Sequence, residues 1–217
     1  MLAVLKTLAK ENLVPIIYRY PPSMLAPERL ATYLHALLER RHLAGDVAEI
    51  GCNLGGTAAI AARMLKRTGW SGTYVCFDTF GGFVAEQFEQ DVALGTEAHR
   101  ADMFAANSKR LVERILAYHE APEVRLVEGD ITKIANAALG GPYAAVLLDI
   151  DLSEPTHVAL NRFWPLLSPG GAIYVDDCPA GKNWKARVGY ARFCAEQGLP
   201  ERYEYGLGVV ERPARDA

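Results

Sequence analysis

The sequence predicts an α/β fold in which helices cover both faces of a mostly parallel β-sheet. From Gly45 onward, strand-like and helix-like segments alternate, which is typical of a parallel sheet. The predicted strands at 144–148 and 172–175 are wholly apolar, as expected for strands buried on both faces. Only a glycine-containing turn separates the last two strands within Tyr203–Arg212. This pair therefore predicts an antiparallel addition at the sheet edge.

The individual elements follow in the order that such a sheet requires. Strands are predicted at Asp46–Gly51, Gly72–Asp78, Glu123–Glu128, Tyr143–Asp149 and Gly171–Asp177. Helices are predicted at Leu2–Leu13, Ala26–His42, Gly55–Arg67, Met103–Tyr118, Ile131–Leu139, Pro155–Leu167 and Trp184–Gln197. Pro165 is expected to bend or end the helix in which it lies. The polar stretch at 83–100 has two interpretations, a lid over a bound ligand or a plain surface connection.

Composition narrows the class of protein. Of the 217 residues, 50% are hydrophobic and 23% are charged, with a net charge of −3. These values exclude global disorder. The slight acidity argues against a protein that coats nucleic acid and against a polybasic membrane anchor. No apolar run approaches about 18 residues, so no membrane-spanning segment is expected.

Two further features bear on the cellular compartment. The apolar start, Met1–Leu8, is interrupted by Lys6 and predicts a short amphipathic helix rather than a signal peptide. The four cysteines, at positions 52, 76, 178 and 194, form no CxxC pair. They predict reduced, buried thiols in a cytoplasmic protein rather than a metal thiolate cluster.

Acidic residues stand at the carboxyl end of every predicted parallel strand. They are Glu49, Asp78, Asp130, Asp149 with Asp151, and Asp176 with Asp177. Ligands of open α/β sheets bind beside these strand ends. Because carboxylates gathered along one edge repel one another, we expect a cationic ligand or a divalent metal ion to compensate them.

The loop after the first strand is rich in glycine and leads into a helix. Gly51, Gly55 and Gly56 would let a ligand approach the backbone closely. Asn53 stands where the dinucleotide-binding fingerprint requires glycine, which opposes an NAD-dependent oxidoreductase. Glu49 favours a ligand with a positively charged end over a pyrophosphate. A glycine turn with a purely structural purpose is the alternative interpretation.

Two acids further along the rim are placed to bind a nucleoside. An acid at the end of the second strand, here Asp78, suits ribose hydroxyls. Asp130 ends the third strand, where an adenine would lie if the nucleoside extended along the rim. Each has an alternative, because Asp78 could cap a turn or helix and Asp130 could be the N-cap of the next helix.

These segments together resemble class I S-adenosylmethionine-dependent methyltransferases, and more narrowly the macrocin O-methyltransferase family. The resemblance runs from about Met24 to Arg212. It is carried by Pro27-Glu28-Arg29-Leu30, Gly45–Gly51, Gly55-Gly56-Thr57, Asp78-Thr79-Phe80, Asp149–Thr156, Leu167–Gly171 and Asp176-Asp177. Ser153, the pair Asn53-Leu54 and Gly81 depart from the residues usual in the family. They lie near the expected donor or acceptor and leave the acceptor's identity open.

The resemblance implies a Rossmann-like fold with a seven-stranded sheet. It also implies an N-terminal helical segment at 1–44, acting as a lid or in dimerisation, and an S-adenosylmethionine-binding domain at 45–217. A homodimer or a higher homo-oligomer is expected. The donor would be bound by Glu49, Gly51, Asn53, Gly55, Gly56, Thr57, Asp78, Thr79, Phe80, Asp130, Ile131 and Asp149.

The expected chemistry depends on the acids after the fourth and fifth strands. In the sheet order that the resemblance implies, these strands are neighbours roughly 4.8 Å apart. Asp149, Asp176 and Asp177 could then converge on Mg²⁺ or another divalent cation, since all-oxygen ligands favour such ions. The alternative is that Asp176 is a structural acid and Asp177 a cap or turn residue. By resemblance, Asp151 is the general base, and Leu152, where catechol-type enzymes often have lysine, favours a carboxylate in that role.

The sequence therefore predicts a metal-dependent O-methyltransferase that acts on a small hydroxylated molecule, such as a natural-product sugar. The alternatives are a catechol-type or other small-molecule methyltransferase and a non-catalytic donor-binding protein on the same fold. Asp149-Ile150-Asp151-Leu152 differs from the Pro-Pro-aromatic turn of amino-methylating nucleic-acid enzymes. Neither a nucleic-acid nor a membrane partner is expected. His157 is predicted to be a helix-start residue rather than a catalyst, whereas Trp184 could contact the acceptor.

Overall fold

A seven-stranded sheet forms the centre of the protein, in a computed structural model that describes residues 2–179 and 183–214. The strands are β1 Asp46–Ile50, β2 Tyr74–Asp78, β3 Arg125–Glu128, β4 Tyr143–Leu148, β5 Leu167–Val175, β6 Tyr203–Glu204 and β7 Leu207–Glu211. Their order is β3-β2-β1-β4-β5-β7-β6. Strands β1 to β5 are parallel, and β7 is antiparallel to both β5 and β6. The predicted fold class is confirmed, including the antiparallel edge hairpin.

Helices pack on both faces of this sheet. They are α1 Leu2–Asn12, α2 Val14–Ile17, α3 Pro27–Arg40, α4 Gly56–Arg67, α5 Ala85–Ala93, α6 Lys109–Tyr118, α7 Asn136–Leu139, α8 Ser153–Phe163 and α9 Ala186–Gln197. Helices α3, α4 and α6 cover one face, whereas α7, α8 and α9 cover the other. Along β1, Val47 faces the first layer and Ala48 the second, because successive side chains of a strand point to opposite faces.

The N-terminal segment packs against α6 and passes over the glycine-rich loop. Val14 and Tyr18 lie against Leu111 and Ile115. A Cβ atom on Gly56 would lie 2.1 Å from the carbonyl carbon of Pro22, so only glycine permits this crossing. The N-terminal segment therefore forms one side of the region above the strand ends. Its role as a lid or in dimerisation stays a prediction.

Several element boundaries differ from the predicted ones. Helix α6 begins at Lys109 rather than Met103, because the Ser108 hydroxyl accepts a hydrogen bond from Leu111 N at 3.0 Å and caps the helix there. Helix α8 ends at Phe163, before the 3₁₀ turn Trp164–Leu166 that contains Pro165, as the proline predicted. Part of the ambiguous stretch at 83–100 is helical, as α5.

The predictions about membranes and cysteines can also be compared with the described residues. Among these residues, no helix is both long and apolar enough to cross a bilayer. All four cysteines are buried and form no disulfide, as predicted from their spacing.

Candidate active site

A cavity of about 260 Å³ lies at the carboxyl ends of the parallel strands. The predicted site residues that line it are Glu49, Gly51, Asn53, Gly56, Thr57, Asp78, Thr79, Asp130, Ile131, Asp149, Asp151, Asp176 and Asp177. The structure therefore brings nearly all of them to one place, because parallel strands deliver their carboxyl ends to the same edge of the sheet.

Two residues predicted to bind the cofactor, Gly55 and Phe80, lie outside the cavity wall. A Cβ atom on Gly55 would point at the side chains of Val112 and Leu116. Phe80 is buried in the core. Its backbone supports the site, since Phe80 N donates a hydrogen bond to Asp78 Oδ1 at 2.7 Å. Gly55 thus packs against α6 and Phe80 supports the Asp78 carboxylate, and direct contact of either residue with a cofactor stays a prediction.

Gly51 allows the first loop to approach the end of β4. Its φ is +86°, and an added Cβ atom would lie 2.0 Å from the carbonyl oxygen of Asp149. Asp149 N in turn donates a hydrogen bond to Ile50 O at 2.8 Å. Any side chain at position 51 would therefore push the loop away from the acid that follows β4.

Asp78 connects the first loop to the end of β2. Its Oδ2 accepts a hydrogen bond from Asn53 N at 2.8 Å, and its Oδ1 accepts the bond from Phe80 N. The predicted turn-capping interpretation is thus observed, while Asp78 also belongs to the cavity wall. Burial raises the pKa of Asp78, and the two backbone donors oppose this shift.

Asp130 closes a short turn after β3, on the same side of β1 as Asp78 and away from the acids that follow β4 and β5. It accepts hydrogen bonds from Thr132 N at 2.9 Å and from Gln87 Nε2 at 3.0 Å. Helix α7 begins only at Asn136, so Asp130 is not its N-cap. Burial favours a higher pKa, but the hydrogen bonds from Thr132 and Gln87 bring the pKa of Asp130 below its usual value. Sequence reasoning missed Gln87, because it lies in the ambiguous polar stretch.

Glu49 is a buried carboxyl group at the centre of the site. It is 2% exposed, and its Oε2 accepts a hydrogen bond from the Tyr74 hydroxyl at 2.6 Å. Burial raises the pKa of Glu49 to about 8, against the effect of the Tyr74 hydrogen bond, and the nearby Asp78 carboxyl adds to the rise. A positively charged ligand in the cavity would favour the ionised form of this group.

Three carboxyl groups cluster after β4 and β5. One oxygen from each of Asp149, Asp151 and Asp177 lies within 4.8 Å of the other two. Asp151 and Asp177 have positive φ angles of 67° and 54°, which are uncommon for residues other than glycine. Lys185 N fixes the turn by donating to Asp151 O at 2.8 Å.

The chemistry of this cluster fits a hard divalent cation. Burial raises the pKa values of Asp149 and Asp151 well above the usual range. Repulsion from neighbouring carboxylates adds to the rise at Asp149, and a hydrogen bond with Asp177 followed by repulsion adds to it at Asp151. A cation among them would remove this repulsion. Because every donor is oxygen, the cluster suits Mg²⁺, Mn²⁺ or Ca²⁺ better than zinc.

Arg29 contacts the acids at the end of β5, and the sequence had assigned it no role in the site. Its Nη1 donates hydrogen bonds to Asp176 and, at 3.0 Å, to Asp177 Oδ1. Asp176, a predicted metal ligand, is therefore paired with a guanidinium, while Asp151 completes the group of three. A signal was available, because Arg29 lies in the first turn of α3, where acidic rather than basic residues are favoured.

Three aromatic side chains form part of the cavity wall. The ring centroid of Phe83 lies 5.3 Å from that of Phe104 and 5.6 Å from that of Trp184, and all three rings line the cavity. Asp91 on α5 anchors this region by accepting a hydrogen bond from Ser153 N at 2.9 Å. The stretch at 83–100 thus contributes to the cavity wall and is more than a surface connection.

His157 lies outside this wall. It is buried in α8, where its Nε2 is 2.6 Å from Glu196 Oε2. This position agrees with the expectation of a structural residue near the start of a helix.

Comparison with known proteins supplies independent findings. The profile of a family described as a methyltransferase domain matches residues 48–178. The 8-demethyl-8-(2,3-dimethoxy-alpha-L-rhamnosyl)-tetracenomycin-C 4'-O-methyltransferase of Streptomyces olivaceus is 30% identical over an alignment of 144 residues, and the match covers 61% of this chain and 52% of that protein. The chain thus spans about half the length of this curated relative.

Two solved structures are similar in fold. The O-methyltransferase NovP gives a TM-score of 0.72 at 21% identity, over 88% of this chain and 82% of that one. CalS11, a calicheamicin methyltransferase, gives a TM-score of 0.65 at 18% identity, over 95% of this chain and 91% of that one.

Proposed function

Because the chain belongs to the methyltransferase domain family, we propose that it is an S-adenosylmethionine-dependent O-methyltransferase that requires a divalent metal ion, with Mg²⁺ as the first candidate. The proposed acceptor is a hydroxyl group of a small molecule. The Streptomyces olivaceus relative is named as a 4'-O-methyltransferase of a rhamnosyl tetracenomycin, which supports a natural-product sugar as the first acceptor class to test. Membership of the narrower macrocin family, a homodimer and a cytoplasmic location belong to the same proposal.

One observation carries this proposal. The acids expected to bind the donor and the acids expected to bind a metal ion line the same cavity. Asp78 and Asp130 at one end would accept hydrogen bonds from a nucleoside, and Glu49 would face the positively charged part of the donor. Bound S-adenosylmethionine supplies an electrophilic methyl group on sulfur. In this proposal, the acids after β4 and β5 would face the acceptor hydroxyl that meets that methyl group. Holding the two reactants in line is worth about 7–11 kcal/mol in favourable cases.

The carboxyl groups after β4 and β5 would bind the metal ion, and one of them would accept the proton of the acceptor hydroxyl. Asp149 and Asp177 belong to the predicted ligand set and to the observed cluster. The predicted third ligand is Asp176, whereas the distances favour Asp151. A bound divalent ion supplies Lewis acidity, which lowers the pKa of a coordinated hydroxyl. As the proposed base, Asp151 would take the hydroxyl proton on its carboxylate, and burial makes this carboxylate a stronger proton acceptor than an exposed aspartate.

Donor binding tests the first half of the proposal. We expect S-adenosylhomocysteine to bind the wild-type chain in isothermal titration calorimetry and to bind Asp78→Ala at least about tenfold more weakly, a difference of about 1.4 kcal/mol. Glu113→Gln, a change on the exposed side of α6, should bind as the wild type does. Binding of NADH in place of S-adenosylhomocysteine would contradict the donor assignment.

Metal binding and turnover test the second half. We expect EDTA to abolish methyl transfer and Mg²⁺ to restore it. Asp149→Ala should lose metal binding. Asp151→Asn should keep it, because the amide oxygen can still act as a ligand, but should lose turnover by about 10²–10⁴-fold, the range for a general base. If both variants methylate an acceptor at the wild-type rate, the assignment of the site is wrong.

One observation favours the catechol-type alternative. The aromatic wall of Phe83, Phe104 and Trp184 could stack on a flat aromatic acceptor. Parallel assays with catechols and with rhamnosides, at equal donor and metal concentrations, separate the two acceptor classes. A non-catalytic protein would bind S-adenosylhomocysteine and methylate neither class.

A further inference from the structure

We propose that Arg29 is the internal counter-cation of the acidic cluster and competes with the divalent ion for Asp177, thereby setting the metal affinity of this protein. The inference rests on the proposed function, because it takes Asp149, Asp151 and Asp177 to be a metal site. It gives a specific role to a residue of the N-terminal helical segment.

The pairing between Arg29 and the two acids is largely withdrawn from water. The Arg29 side chain is 11% exposed, and the side chains of Asp176 and Asp177 are 7% and 13% exposed. A single nitrogen, Nη1, serves both carboxylates. Because buried charges are screened less than exposed ones, the guanidinium acts strongly on any other cation that enters the cluster.

Asp177 belongs to both arrangements, and this overlap creates the competition. Its Oδ1 is 3.0 Å from Arg29 Nη1, and the same carboxyl group is one of the three gathered with Asp149 and Asp151. A divalent ion bound there would lie beside a guanidinium of like charge. The ion carries two charges, which doubles the repulsion that a monovalent cation would meet.

A supporting role for Arg29 is the other physical possibility. A group that hydrogen-bonds to a metal-ligating carboxylate can orient it, and loss of such a group typically weakens metal binding about 10–100-fold. A neutral donor would orient Asp177 equally well, yet Arg29 brings a full positive charge and divides one nitrogen between Asp177 and Asp176. These observations favour competition, and the two roles predict opposite changes in affinity.

Arg29 also has a position to which it could move. It lines the main cavity and a neighbouring groove whose wall includes the acidic Glu28 as well as Arg187. Metal binding would release the guanidinium toward this groove. In the metal-free protein the guanidinium instead neutralises the acids, so the wild-type fold should tolerate a chelator.

Metal titration of the full chain without donor tests the inference. Mn²⁺ binding is followed by electron paramagnetic resonance and Mg²⁺ binding by calorimetry. Arg29→Gln should bind both ions at least about tenfold more tightly, equivalent to about 1.4 kcal/mol. Arg29→Lys keeps the charge and should stay near the wild-type affinity. Arg40→Gln is the matched control, because Arg40 is also on α3, is 12% exposed and pairs with Glu211 at 2.8 Å.

Thermal unfolding provides a second readout that does not depend on turnover. In EDTA, Arg29→Gln should unfold at a lower temperature than the wild type, because its acids have lost their counter-cation. Added Mg²⁺ should then raise its Tm by more than it raises that of the wild type, since tighter binding to the folded state stabilises it more. Arg40→Gln should show the wild-type increment. The Arg29→Gln protein is purified in Mg²⁺ so that it is folded when the titration begins.

The outcomes separate this inference from the proposed function. Equal or weaker metal binding by Arg29→Gln, with clear binding by the wild type, overturns the competition and leaves the metal site in place. Tighter binding by Arg29→Lys, equal to that of Arg29→Gln, overturns the role of charge. If neither the wild type nor Arg29→Gln binds either ion, the metal requirement fails and the inference fails with it.

Discussion

Replacing Glu49 by glutamine should change how the stability of this protein depends on pH. Glu49 is 2% exposed, and burial raises the pKa of its carboxyl to about 8, from the ordinary value of 4.5. Glutamine has nearly the same shape and can still accept the hydrogen bond from Tyr74, but it cannot ionise. The comparison therefore isolates the cost of a buried carboxylate.

The sign and size follow from proton linkage. Between pH 4.5 and about 8 the folded protein keeps a proton at Glu49 that the unfolded chain has lost. Stability must therefore fall as the pH rises through this window. At about 1.4 kcal/mol for each factor of ten in proton affinity, the whole effect is about 5 kcal/mol. It is absent below pH 4.5 and complete above pH 8.

Urea unfolding of both proteins from pH 4 to pH 9, in EDTA, measures this effect. The free energy of unfolding of Glu49→Gln minus that of the wild type should increase steadily across the window and then level off. Because both proteins contain the other acids of the cavity, their contributions cancel in the difference. Glu113→Gln serves as the exposed control and should give a flat difference. A flat difference for Glu49→Gln would refute a buried carboxyl with a raised pKa.

Three further changes test other parts of the site. Gly51→Ala should cost at least about 3 kcal/mol in urea unfolding, more than the 1–2 kcal/mol of a left-handed residue alone, because its Cβ would lie 2.0 Å from Asp149 O. Gly69→Ala is its control, with φ at +79° and nothing within 4 Å of the added atom. Ser108→Ala should cost about 1 kcal/mol by removing the cap of α6, and an unchanged midpoint would contradict that cap. Asp78→Asn should weaken S-adenosylhomocysteine binding in calorimetry, whereas a lower Tm with unchanged binding would limit Asp78 to its turn.

Much of the fold could be read from local patterns. The alternation of strands and helices, the apolar strands β4 and β5 and the glycine turn of the edge hairpin all have sequence signatures, and the structure confirms them. Boundaries were less predictable. The residues Met103–Ser108 fit a helical pattern, but Ser108 caps α6, and Asn107 Nδ2 donates a hydrogen bond to the distant Asn53 O at 2.8 Å.

The candidate site was also predictable only in part, because some of its features are local in sequence and others depend on long-range packing. Acids at strand ends are recognisable in the sequence because their position follows from the strand itself. Which of these acids form the metal cluster cannot be recognised in the sequence. Asp151 or Asp176 can complete the cluster, depending on how the turns after β4 and β5 direct each side chain. The positive φ angles of Asp151 and Asp177 give no signal in residue type.

The order of residues along the chain was enough to establish the parallel sheet and its acidic edge, because strands that run in one direction must end on one side. Packing alone determined which groups meet there. Arg29 reaches Asp176 and Asp177 only because α3 packs against the sheet, across a separation of 147 residues for the first pair. A basic residue in the first turn of α3 hints at an unusual role, but the partners of such a contact have no local pattern, since its free energy comes from the charge, burial and distance of groups that the folded chain brings together.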